Sequence, residues 1–88
     1  MTDEELTLAH ILDHLARRSS LHREKAPSRN DVLANWLKKY PEWDDPFFVY
    51  LKNEFKIELD ATDKDKIRSM SLKSIAFYIS RVRNLIPR

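Results

Sequence analysis

The chain has 88 residues, of which 42% are hydrophobic and 34% charged, and a net charge of +2; that is one small domain, with enough apolar side chains for a core and no room for a second. With no glycine and no cysteine, glycine phosphate loops, Asn-Gly hairpins, disulfides, thiolate metal sites and thiol nucleophiles are excluded, and the composition favours helices. No apolar run approaches the roughly 20 residues of a membrane span and the opening MTDEELTLAH is acidic, so a cytoplasmic protein without a membrane partner is expected.

The small net charge conceals blocks of opposite sign. Residues 1–16 carry four acids and no base, 17–39 seven bases against two acids, 41–65 eight acids against three bases, and 66–88 six bases and no acid. Blocks of this kind can pair within one fold, so a pI near 9.0 is a weak pointer to nucleic acid.

In residues 3–18, Leu8, Ile11, Leu12 and Leu15 recur at helical spacing behind Thr2 or Asp3 as cap, with Glu4 and Glu5 in the favourable first turn. The aperiodic RRSSLHREKAP reads as a long basic first loop. Ser28 and Asp31 have capping-box spacing ahead of Val32, Leu33, Trp36, Leu37 and Tyr40, a second helix ended by Pro41. Asp44 or Asp45 can cap a third helix, with Pro46 at its first position and Phe48, Leu51 and Phe55 on one face. Ile57 and Leu59 alternate with polar residues as an extended connection anchored at two points. Thr62 and Asp65 have capping-box spacing for one short helical turn over 63–68 that buries Ile67. Ser69 or Ser71 caps a final helix whose stripe is Leu72, Ile75, Ile79, Val82 and Ile86, before Pro87.

Residues that could carry chemistry are few. His10 and His14, with Asp13 between them, have the outline of a metal-binding helix motif. A third ligand and a substrate cleft are not visible, so two histidines flanking a helix stripe is the preferred reading. No serine sits in a nucleophile elbow. Neither catalysis nor a bound metal or cofactor is expected. Trp36, Tyr40 and Trp43 near Lys38 and Lys39 could stack on bases. Trp36 is in register with the second stripe, however, and Trp43, in a proline-flanked turn among acids, is the one aromatic of the three expected at the surface. On the last helix Lys73, Phe77, Arg81, Asn84 and Arg88 share the face opposite the stripe. Phe77 lies roughly 160 to 200° from Ile75 and Ile79 and should be in water, a candidate contact residue.

The stretch 51–79 resembles the second half of acyl carrier proteins: a helix closing on Glu54 and Phe55, an extended Ile57-x-Leu59, a short acidic helix with Asp63, Asp65, Lys66 and Ile67, and a Ser71-capped helix closing on Tyr78 and Ile79. The resemblance implies an all-α fold, a four-helix carrier-protein-like bundle, here with an extra short helix and the long basic first loop. It also implies partner docking on the acidic helix over 45–55. Counted back from Phe55, the family's Asp-Ser-Leu attachment site falls near Tyr40, Pro41 and Glu42, where there is no serine to carry phosphopantetheine. A competing register places the attachment at Ser71-Leu72-Lys73, with Met70 where the family has Asp.

The expected function is therefore binding of another protein without a prosthetic group, through Trp43, Asp44, Asp45 and Glu54 and through Lys73, Phe77 and Arg81. The competing reading is a helix-turn-helix DNA binder that uses the helix over 28–40 or the basic final helix.

Overall fold

A computed structural model describes residues 2–85, with side chains as far as Arg83. Ile86, Pro87 and Arg88, assigned above to the last helix and its end, lie outside the described residues, as does the Asn84 side chain. Five α-helices and one 3-10 turn follow in order: α1 (Asp3–Leu21), α2 (Leu33–Lys39), the turn (Pro41–Trp43), α3 (Asp44–Phe55), α4 (Ala61–Arg68) and α5 (Leu72–Leu85). The fold is all-α. Its radius of gyration of 12.4 Å matches the roughly 12 Å of a compact chain of this length. Among the described residues no helix is long and apolar enough to cross a membrane.

α1 begins where Thr2 accepts the Glu5 N–H at 3.2 Å and continues three residues past its expected end. Arg17 pairs with Asp13 one turn back at 3.0 Å, and the buried Ser19 returns its hydroxyl to the Ala16 carbonyl at 3.0 Å. Both bonds are helical in reach, so part of the expected basic loop is helix. The stripe on α1 is Thr7, Leu8, Ile11, Leu15 and Ser19.

The Ser28–Asp31 pair does not cap a helix. Asp31 accepts both the Ser28 N–H (3.0 Å) and its hydroxyl (2.9 Å), closing a turn, and it also takes the Trp36 indole N–H at 3.0 Å. α2 starts later, at Leu33, because Val32 forms an antiparallel bridge with Ser71. The Leu33 N–H reaches the Met70 carbonyl at 3.1 Å and the Leu72 N–H reaches the Asp31 carbonyl at 2.9 Å. Those donors belong to the unsatisfied first turns of two helices, and the bridge satisfies both at once.

Asp44 and Asp45 are the first residues of α3, and neither caps it. The 3-10 turn leads directly into the helix, and Pro46 stands third in it. For α4 the capping box falls two residues earlier than expected, on Asp60 and Asp63, so the helix has two turns. Ser71, not Ser69, opens α5, accepting the Ser74 N–H at 3.2 Å.

α1 and α5 share the most extensive helix contact. One cluster joins Leu8, Ile11 and Leu15 to Leu72, Ile75 and Ile79, with Phe47, Leu51 and Phe55 from α3 and Leu33, Ile57 and Ile67 from the remaining segments. Asp3 closes its edge, accepting the buried Ser80 hydroxyl and pairing with Arg83 at 3.5 Å.

Lacking glycine, the chain places Arg23 (φ 58°) and Lys56 (φ 55°) in the left-handed region, Lys56 as the cap of α3. A Cβ there costs roughly 1 kcal/mol or more. Lys56→Gly should raise unfolding stability by about 0.5 to 1 kcal/mol in urea titrations, and an unchanged midpoint would refute that strain. Ile79→Ala, at a fully buried site, should cost about 2 to 5 kcal/mol.

Candidate interaction surfaces

The structure does not assemble Trp43, Asp44, Asp45 and Glu54 into one surface. Trp43 is only 2% exposed, which corrects its expected place at the surface. Its ring lies near-parallel to those of Tyr40 (centroids 4.4 Å apart) and Trp36 (5.6 Å), which are 6.3 Å from each other, with His22 stacked on Tyr40 at 4.5 Å. The aromatics near Lys38 and Lys39 are therefore engaged with one another. Lys39 is also held by Glu24, which accepts the Tyr40 hydroxyl as well; the two bonds hold the Glu24 carboxyl below its ordinary range.

Asp44 is committed to an internal ion pair. Arg68 donates Nε to its Oδ1 at 3.0 Å and a second nitrogen to Oδ2 at 3.2 Å, while also bonding Asp65 at 2.7 Å. Its guanidinium lies 5.1 Å above the Phe48 ring. The two-pronged geometry fixes α3 against α4 and raises the Arg68 pKa.

Asp45 lines a cleft of about 610 Å³ with Phe48, Val49 and Lys52 of α3, Glu58 and Leu59 of the connection, and Lys64 of α4. Val49 is 56% exposed. No sequence expectation fell on it, although an apolar residue off the Phe48–Leu51–Phe55 stripe was the available signal.

Glu54 lies elsewhere, 3.6 Å from His10 Nδ1. It shares a small polar cleft with His10, Asp13, His14, Arg17 and Tyr50. The two histidines take separate partners. His14 stacks on Tyr50 at 3.9 Å and its Nε2 accepts the Arg18 Nε–H at 3.2 Å, so that nitrogen is not free for a ligand. Among the described residues no three His, Asp or Glu side chains converge as a metal site would require. Burial, then Arg18 and Arg17, lower the His14 pKa to about 4 against a small opposing effect of Asp13, and burial lifts the Tyr50 hydroxyl to about 12.

Lys73 and Phe77 do come together. Phe77 is 47% exposed and, with Lys73 and Ala76 of α5, Arg29 of the first loop, and Thr2, Glu4, Glu5 and Leu8 at the start of α1, lines a cleft of about 410 Å³. Arg81 is exposed one turn further along α5 and does not line it. Arg29 was not singled out from the sequence, and Glu4 and Glu5 were read only as first-turn acids of α1, because only folding brings the three beside Phe77.

Compared with known proteins, the chain matches no family model, and no curated protein or solved structure matches it significantly.

The low His14 pKa has a consequence for stability. The folded protein keeps this imidazole neutral where the unfolded chain, at an ordinary 6.5, takes up a proton. Unfolding is therefore favoured progressively as pH falls from about 6.5 to about 4. Glu24, Asp31 and Asp63, all depressed by hydrogen bonds, lose their contribution only as pH falls from the ordinary carboxylate range downward, at the acid end of that window and below it. Melting temperature should decline between pH 6.5 and 4.5 in the native protein and decline less in His14→Gln; parallel curves would assign the effect to another group.

Proposed function

We propose that this chain is a non-catalytic protein-interaction module with a carrier-protein-like layout, carrying no prosthetic group and docking its partner in the cleft between α3 and α4. The observation that carries the reading is Val49: a branched apolar side chain more than half exposed, sharing with Phe48 and Leu59 a cleft framed by Asp45, Glu58, Lys52 and Lys64. Exposed apolar surface rimmed by charge is what a recognition site offers. The partner that fits presents one or two apolar side chains flanked by charges of both signs, rather than a purely basic surface.

The order of elements supports the carrier-like part of the proposal. A long first helix is followed by a connection that contains the seven-residue α2 and the 3-10 turn, then by a central helix opening on acids, a short helix and a final helix. Ile57 is buried and Leu59 partly buried in the segment between α3 and α4, as in the resemblance. Tyr40, Pro41 and Glu42, near which the resemblance sets the attachment site, lie where the 3-10 turn begins and include no serine. In the competing register the Ser71 hydroxyl is occupied in opening α5 and in a 3.0 Å bond to Ser74.

The DNA-binding reading has less behind it. α2 has seven residues, Lys39 is paired with Glu24, and the next turn and helix open on Glu42, Asp44 and Asp45, which would repel phosphates.

Val49→Asp should leave unfolding stability within about 0.5 kcal/mol, since the side chain is exposed. It should also abolish recovery of the proteins that cross-link to the native chain in the source cell. An unchanged set of cross-linked proteins would rule out this cleft. Incubation with a promiscuous phosphopantetheinyl transferase and coenzyme A should leave the mass unchanged; an adduct on Ser71 would replace the proposal with a true carrier.

A further inference from the structure

The cleft around Phe77 shares no lining residue with the Val49 cleft. Its floor is apolar, made by Leu8, 9% exposed, and Ala76, 1% exposed, and Phe77 stands on the α5 wall. Its charges are segregated. Glu4 and Glu5 occupy the α1 wall, while Lys73 and Arg29 are joined through the backbone, where the Lys73 N–H donates to the Arg29 carbonyl at 2.9 Å. The other two acids of α1 are satisfied within the fold, Asp3 by Ser80 and Arg83 and Asp13, further along the helix, by Arg17. Among the described residues Glu4, Glu5, Lys73 and Arg29 take part in no ion pair.

We propose that this cleft is the interface of a two-fold symmetric dimer, a second copy of the chain being its occupant. A two-fold axis requires one patch to serve as both partners, so that if residue i meets residue j, then j meets i. A patch of a single sign would repel its own copy. This one carries acids from α1 and bases from α5 and the first loop around an exposed aromatic, so rotation about an axis near Phe77 sets the Glu4 and Glu5 wall of one copy against the basic residues of the other. The two Phe77 rings then cover each other and the shallow Leu8–Ala76 floor, removing from water the one phenylalanine the fold leaves largely exposed among the described residues. The rim pairs fix register and orientation, and the rings supply most of the attraction. Because Arg29 belongs to the loop that the Val32–Ser71 bridge anchors to the start of α5, the basic end is held by the same hydrogen bonds that start two helices.

Sedimentation velocity on the full chain, from about 5 μM to about 1 mM at low and at high salt, tests the proposal. The native protein should show a monomer–dimer equilibrium that weakens with salt, through screening of the rim pairs. Phe77→Ser should weaken it by at least about tenfold without moving the melting temperature. Glu5→Lys and Lys73→Glu should each be monomeric alone, since each shifts the patch towards a single sign. Mixed in equal amounts they should form a heterodimer: the lysine introduced at position 5 of one copy meets the glutamate introduced at position 73 of the other, while the unaltered Lys73 and Glu5 meet across the axis. A native chain that stays monomeric at about 1 mM overturns the proposal. So does a dimer that Phe77→Ser leaves intact, or charge-reversed variants that fail to combine. None of these outcomes bears on the Val49 cleft, whose test reads binding of other proteins.

Discussion

Ile11 and Leu15 of α1 and Ile75 and Ile79 of α5 are wholly withdrawn from water in one cluster, and the rest of the molecule is arranged around that seam. The two helices are the first and last in the chain, so closing it brings together ends separated by 77 residues, with Asp3 taking the buried Ser80 hydroxyl. A chain of this size buries a smaller fraction of its surface than a larger domain does, and it has no cysteine with which to cross-link itself. Burial at the seam must therefore offset the entropy of joining the two ends. α3 then lies against the seam through Phe47, Leu51 and Phe55, and α4 is fastened to α3 from outside by Arg68 and Asp44.

The long helices α1, α3 and α5 were legible in the sequence because each buries a stripe, and a stripe of three or more turns survives errors at its ends, whereas α2 and α4 each bury one residue, Leu33 and Ile67. Those errors have two physical origins, local polar bonds that carry no apolar signal and contacts with residues distant in the chain. α1 runs into RRSS because Arg17, Arg18 and Ser19 each find a partner three or four residues back, a pattern hidden by the absence of apolar residues. α2 starts late because Val32 pairs with Ser71, and nothing local to either residue announces a contact 39 positions away. Local spacing identified Ser28 and Asp31 as partners correctly, but the same two bonds close a turn as readily as they cap a helix.

The candidate sites were less legible than the fold, for a related reason. Trp43 sits in a single 3-10 turn between Glu42 and Asp44, too short to show any period, and its burial depends on Tyr40 and Trp36 closing over it. Asp44 reads as a solvated acid until Arg68, 24 residues on, is placed beside it. Phe77 could be located from the sequence because its exposure is a property of one helix: with Leu72, Ile75 and Ile79 turned inward, a residue two positions from either isoleucine faces water. Val49 was open to the same reasoning on α3.

The block pattern of charge connects the seam to both clefts. The blocks pair across the fold, the first with the last through Asp3 and Arg83 and the third with the last through Asp44 and Arg68, while Glu24 and Lys39 pair within the second. A net charge of +2 is thus what internal neutralisation leaves over, and the charges outside those pairs are not spread evenly. Glu4, Glu5, Lys73 and Arg29 gather around Phe77, and Asp45, Lys52, Glu58 and Lys64 around Val49. In each place both signs surround an exposed apolar side chain. Mixed rims of this kind add little affinity in water, but they oppose partners of the wrong charge pattern. That division of labour leaves attraction to the apolar centre and selectivity to the rim, which is the arrangement a small domain needs if two of its clefts are to take different partners without competing.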